Sequence, residues 1–352
     1  MKERLLKYSG YVGYVGYPLF YLFCLGLFAR LCFPYERAKE RVVASFNDGQ
    51  RAAGGRMELQ IDEMSGHWLT GLDLTGIHLL LAPTEAGKPI AKLEVDEATV
   101  HVGVGGVSFD ASGFGGEASG SLEHSDKDES IDLTFDSIEL GKVEPIARGF
   151  ANTIREALRP LRSVEAGAEP PPVPIKAKLS GTVRLALPGG KASKATGSIA
   201  LEIKEAAIGD GNPKSTGGLA LPRLDVGTLT FAGEAKDGLL KITKLTAGGK
   251  DLDVQGDGRI TLRDNLSDSL ADLVVRFRLS DAYRGKSDVT KSLFGAPGSS
   301  APGLLELADA RVKQSKRADG FLVWAVRGVF DHLDFVPAGN GAGGGALPRF
   351  GP

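Results

Sequence analysis

Cysteine is almost missing from this 352-residue chain. Two occur, Cys24 and Cys32, and nothing after Phe33 is a cysteine. That excludes a disulfide framework, and any cysteine-based metal site, from the bulk of the protein. Histidine is nearly as sparse. His67, His78, His101, His124 and His332 stand apart with no HExxH or HxH spacing, so no metal-ligand motif is present. An excess of charge is lacking too: the formal net charge is −2, and nothing overall marks a nucleic-acid binder. No G-x-S-x-G elbow occurs. "HVGVGGVSFDASGFGGEASG" and "PGGKASKATG" resemble phosphate loops but lack the GK[ST] ending, and the first is not followed by a helical pattern. Asp253 and Asp257 in "DVQGDGR" are not followed by the glutamate a Ca²⁺ loop requires. The residues point away from an enzyme, and no cofactor is expected.

What is present is glycine, 48 residues of it, with Val, Ile, Leu and Thr in short runs. From residue 57 onward apolar and polar residues alternate with a period of two. In "ADLVVRFRLS" the positions Leu273, Val275, Phe277 and Leu279 share one face of a strand, while Arg276 and Arg278 share the other. Gly, Asp and Asn punctuate such runs every 8 to 12 residues or so, as in "AKDGLLKI". The expectation is a mainly β protein built on an extended antiparallel meander or rolled sheet with a few short helices. Its apolar face either packs on another layer, the common use of such a face, or meets something greasy.

The other prominent feature is at the start. From Tyr8 to Ala29 there are 22 consecutive uncharged residues; as a helix they span about 33 Å, enough for a hydrocarbon core of about 30 Å. The run carries Tyr11, Tyr14 and Tyr17 toward one end, then Pro18, Phe20, Phe23 and Leu27, and it closes on Phe33 and Pro34. Clustered tyrosines suit a headgroup belt. The run is long and no small-x-small cleavage site follows it, so it reads as an uncleaved membrane anchor rather than a cleaved signal peptide. Basic residues flank it on both sides (Lys2, Arg4 and Lys7 before; Arg30, Arg37, Lys39 and Arg41 after), so charge leaves the orientation open. Pro34 stops this helix, and "YERAKERVVASF" begins an amphipathic one with Ala38, Val42, Val43 and Phe46 on one face.

The predicted organisation is a tail and anchor over 1–34, a β-rich body over 35–336, and a disordered Gly-rich tail over 337–352. Within the body, strand-rich parts at about 57–142 and 175–336 are joined by a helix at about 145–161 (Ile146, Phe150, Ile154, Leu158 and Leu161 at helical spacing) and the Pro-rich bridge "AGAEPPPVPI". Further helices are expected near "SDVTKSLFG" and "PGLLELADARV".

Five stretches, in order, resemble one family: "FPYERAKERV", "MSGHWLTGLDLTGIHLL" with Gly66, Trp68 and Gly71, the segment from Val173 to Gly211, the segment from Leu221 to Asp281, and "ADGFLVWAVRGVF". The family is protein N of the bacterial type II secretion system (GspN), itself similar to the AsmA-like proteins. The resemblance implies a single-pass inner-membrane protein with its main domain in the periplasm and a curved, taco-shaped sheet lined with apolar residues. It also implies partners among the secretion-platform proteins of the inner membrane. Phospholipid is the alternative partner, on the reading that the apolar face shields acyl chains.

Overall fold

A computed structural model of the chain describes residues 17–338, apart from 29–30, 53–54, 69–70, 83–89, 126–127, 147–172, 213–219, 300 and 331. Fourteen strands alternate in direction and pair in chain order, each with the next, in a single antiparallel sheet. They are β1 (Met57–His67), β2 (Gly71–Leu81), β3 (Ala91–Gly103), β4 (Gly106–Gly113), β5 (Gly116–His124), β6 (Asp128–Glu139) and β7 (Ile175–Pro188). Then follow β8 (Thr196–Ile208), β9 (Leu224–Lys236), β10 (Leu239–Gly248), β11 (Leu252–Thr261), β12 (Leu270–Leu279), β13 (Leu322–Val329) and β14 (His332–Pro337). At about 4.8 Å per strand the sheet measures roughly 60 Å along its stacking direction. The two strand-rich parts expected from the sequence are one sheet, because β6 pairs with β7 from Asp128↔Pro188 to Glu139↔Lys178.

The meander sorts its connections onto two margins. The turns after β1, β3, β5, β7, β9, β11 and β13 lie on one margin and are short. One of its two-residue turns is Asp237–Gly238, both at positive φ (50° and 75°), the Asp-Gly hairpin signal. The longest connections, after β6, β8 and β12, lie on the opposite margin. There Ile138, Leu140, Ala177, Ala206, Val226 and Ala247 form a buried cluster. Left-handed residues in β6 and β8, Ser137 (φ 57°) and Glu205 (φ 53°), mark register shifts on this margin.

Helical backbone covers residues 17–28 and 31–32. Tyr17, Phe20 and Phe23 there are exposed, as are Leu27 and Phe33; Pro18 lies in the same stretch, and Tyr11 and Tyr14 lie outside the described residues. Among the described residues no helix is long and apolar enough to cross a membrane. After Pro34, whose carbonyl accepts from Ala38 N–H at 3.1 Å, the helix Tyr35–Ala52 runs back along β1. Its half-buried stripe is Tyr35, Ala38, Lys39, Val43, Phe46 and Asn47. Val42 is not on it but is 47 % exposed, a correction to the four-residue face expected from the sequence. The reason is that the helix guards an edge rather than capping a core. Asn47 accepts from Leu59 N–H (2.8 Å) and donates to Leu59 O (3.1 Å), and Lys39 Nζ donates to Asp62 O (2.6 Å). These polar side chains take over the backbone groups that an edge strand leaves unpaired.

Short helices Asp281–Arg284, Asp288–Phe294, Leu304–Ala308 and Ala310–Ser315 fill the connection between β12 and β13. Ser287 closes a capping box with Thr290 where "SDVTKSLFG" was expected to start a helix. The predicted 145–161 helix is helical at residues 144–146, and the rest of it lies outside the described residues. Pro337, expected in the tail, pairs with Trp324 in the last strand.

Candidate functional site

The register places an unbroken apolar row across all fourteen strands. From β1 to β14 it reads Gly66, Leu72, Val100, Phe109, Gly120, Leu133, Val183, Ile199, Gly233, Ile242, Gly258, Leu273, Val326 and Phe335, each directly opposite the next. Residues opposite one another in neighbouring strands project to the same face. Two residues further along each strand, or three in β10 where a bulge intervenes, a second row runs from Met64 and Leu74 through Ala98, Ala111, Ala118, Phe135, Gly181, Leu201, Phe231, Leu245, Gly256, Val275 and Trp324 to Pro337. Neither row contains a polar side chain. Of the face expected from sequence, Leu273 stands in the first row and Val275 in the second; Phe277 and Leu279 extend it, opposite Val254 and Leu252.

Glycines recur in both rows because large neighbours lean over them. A Cβ at Gly120 would come within 2.6 Å of Leu133 Cδ2 and 2.8 Å of Phe109 Cε1. The large residues therefore interlock across the strand at which a side chain is missing.

The row between these two projects to the other face and begins Ser65, Asp73, Thr99, Asp110, Ser119, Thr134 and Thr182. That face is held by cross-strand ion pairs: Arg184 Nε with Asp132 (3.1 Å), Arg278 with Asp253 (2.9 Å), and Arg259 and Arg327 both with Asp272 (3.5 and 3.2 Å). Through these rows the sheet has a greasy side and a largely polar one, but the division is not kept at every position. Val274, Ala325 and Val336 stand opposite one another on the polar side, where Val323 and Ala325 are buried, and Gln60, His78 and Glu94 continue the greasy side of β1–β3. Among the described residues no second sheet lies on the greasy side.

The structure brings together one polar group that sequence spacing hid. His67 Nδ1 lies 2.9 Å from an Asp73 oxygen, Thr99 Oγ1 donates to Asp73 at 2.8 Å, and the His67 and His101 rings meet edge to face at 5.2 Å. Three strands in register supply these residues, so no linear motif could reveal them. Thr99 hydrogen-bonds to Asp73 rather than to histidine, which is not the relay of a nucleophile activated by a base. Among the described residues no group of three His, Cys, Asp or Glu could hold a metal ion. A surface hollow of about 590 Å³ is bordered by His101, Ser108, Ser121 and Glu123, and among the described residues no catalytic constellation converges on it. Comparison of the chain with protein-family models, with curated proteins and with solved structures finds no match.

Proposed function

We propose that this is a bilayer-anchored envelope protein whose sheet forms an apolar trough for the acyl chains of phospholipid. Residues 8–29 form its single membrane helix and hold the body on the periplasmic side of a bacterial inner membrane, as the family resemblance implies. The observation that carries the reading is the pair of apolar rows crossing fourteen strands with, among the described residues, no second sheet against them. Sheets that are greasy on one side need a cover, and a lipid supplies one that extends along a row. The row also begins where the chain leaves the bilayer: a Cβ at Gly66, its first member, would overlap the Tyr35 hydroxyl, and the Tyr35 and Phe33 rings are 4.8 Å apart. Native mass spectrometry of the full chain, extracted from membranes in a mild detergent, tests this. Retained phospholipid is expected; a lipid-free protein with its apolar face sealed overturns it.

A second reading, membership of a type II secretion assembly, is favoured by one feature besides the resemblance. The β1 edge is guarded by the helix Tyr35–Ala52, but β14 is short and exposed, with Leu333, Phe335 and Val336 at 37, 56 and 47 % exposure. An exposed final strand is a template for adding a strand from a partner. Affinity purification of tagged protein from membranes checks it, and recovery of secretion-platform subunits is the expected outcome. No catalytic role is proposed.

A further inference from the structure

We infer that the hairpin tips nearest the anchor, carried by Trp68, Val102 and Val104, insert into the interfacial layer of the bilayer and hold the trough open to it. The inference rests on the anchored-trough reading and adds a second membrane contact to it.

Trp68 forms the tip of the β1–β2 hairpin, at positive φ (46°) and 78 % exposed. A bulky residue in that backbone region is unusual in any turn, and a water-facing tip has no use for an indole. Two residues earlier, Gly66 packs on the Tyr35 hydroxyl. The tip is therefore beside the point at which the apolar N-terminal segment reaches the sheet. The next tip on the same margin is Val104–Gly105, with Val104 fully exposed and Val102 at 52 %. On the following pair of strands Leu122 is 46 % exposed.

Tryptophan is the residue that most often marks a membrane–water interface, where its ring is half solvated and half in hydrocarbon. Charge confines the contact to the tips. Residues 57–139 hold 17 Asp and Glu against 3 Lys and Arg, a net −14. An anionic leaflet repels the acidic β1–β6 segment, so apolar tips touch the bilayer while the strands stand clear of it.

The two tryptophans of the chain report the two claims separately. Trp324 lies in the second apolar row opposite Val275, and Trp68 lies at the tip. Full-length wild type and Trp68→Phe are reconstituted in phosphatidylethanolamine–phosphatidylglycerol bilayers containing phosphatidylcholine brominated at shallow or deep acyl positions. Shallow bromines are expected to quench wild type at least twofold more than Trp68→Phe, and deep bromines to show a smaller difference. Val102→Asp combined with Val104→Asp should lower the Trp68-dependent quenching by more than twofold with an unchanged far-UV spectrum. Equal quenching in wild type and Trp68→Phe overturns the tip contact. If that remaining quenching comes from Trp324, the trough reading survives; if Trp68→Phe abolishes all quenching, the tip contact stands and the trough reading fails.

Discussion

Asp251 shows how much a single side chain secures on the margin that carries the long connections. It is buried; it accepts from Asp225 N–H at 2.8 Å and pairs with Lys286 Nζ at 2.9 Å. The second contact ties the helical connection after β12 to the β10–β11 turn. Beside it Tyr283 donates to Pro222 O at 3.0 Å, and burial, with the Asp251 charge adding to it, pushes the phenol up to about 12 from its usual 10. The sign follows from which state holds the proton longer. The unfolded chain ionises Tyr283 near pH 10 while the folded chain keeps it neutral, so its stabilising contribution is complete below pH 10 and fades as the pH rises toward 12. Tyr283→Phe should remove one phenol that titrates near pH 12 from the ultraviolet absorbance curve. Asp251→Ala should cost about 2 kcal/mol in urea unfolding, because Asp225 N–H loses its acceptor. That is less than a fully buried ion pair would forfeit, since Lys286 can turn to solvent. The same variant should bring the Tyr283 titration back toward 10.

At the scale of elements, the glycines of the apolar rows make a sharper test than the large residues beside them. Gly120→Val should destabilise by about 2 kcal/mol, because the added atoms meet Leu133 and Phe109 on the same face. Ser119→Val, one residue away on the wet face, should change stability by about 0.5 kcal/mol or less. Urea midpoints of the two variants make the comparison. Most strands were legible because alternation survives in each: "ADLVVRFRLS" places Leu273 and Val275 on one side without any knowledge of their neighbours. β5, "GEASGSLEH", was not, because its contribution to the rows is Ala118, Gly120 and Leu122, and small residues carry little hydrophobic signal. β14, "HLDFVP", ends in a proline that reads as a terminator, yet an edge strand tolerates it. The rows themselves were invisible, since a row is a property of register. Register is set by the turns and by shifts such as those between Phe135 and Ile138 or Ile242 and Lys244. Val42 failed for a related reason: helical spacing put it on the apolar stripe, but the helix lies against a strand edge through Asn47 and Lys39.

For the molecule as a whole, an open trough and a sealed core respond in opposite ways to a charge placed in the middle of a row. In a sealed core, Val275→Asp would bury an unpaired carboxylate and cost several kcal/mol or raise its pKa sharply. In an open trough the new carboxylate meets water whenever lipid is absent, so the stability of the lipid-free protein should fall by about 1 kcal/mol or less. The same charge has to be desolvated when an acyl chain lies along the row, and the lipid is lost instead. Phospholipid retained by Val275→Asp should therefore drop at least tenfold in extracted, intact protein. Thr182→Asp, on the wet face between Thr134 and Ala200, should retain as much as wild type. The pairing of those two readouts matters more than either alone. Lipid loss with unchanged unfolding is the signature of a surface that water and lipid occupy in turn, whereas lipid loss together with a collapse in stability would mean that the rows hold the protein's own core.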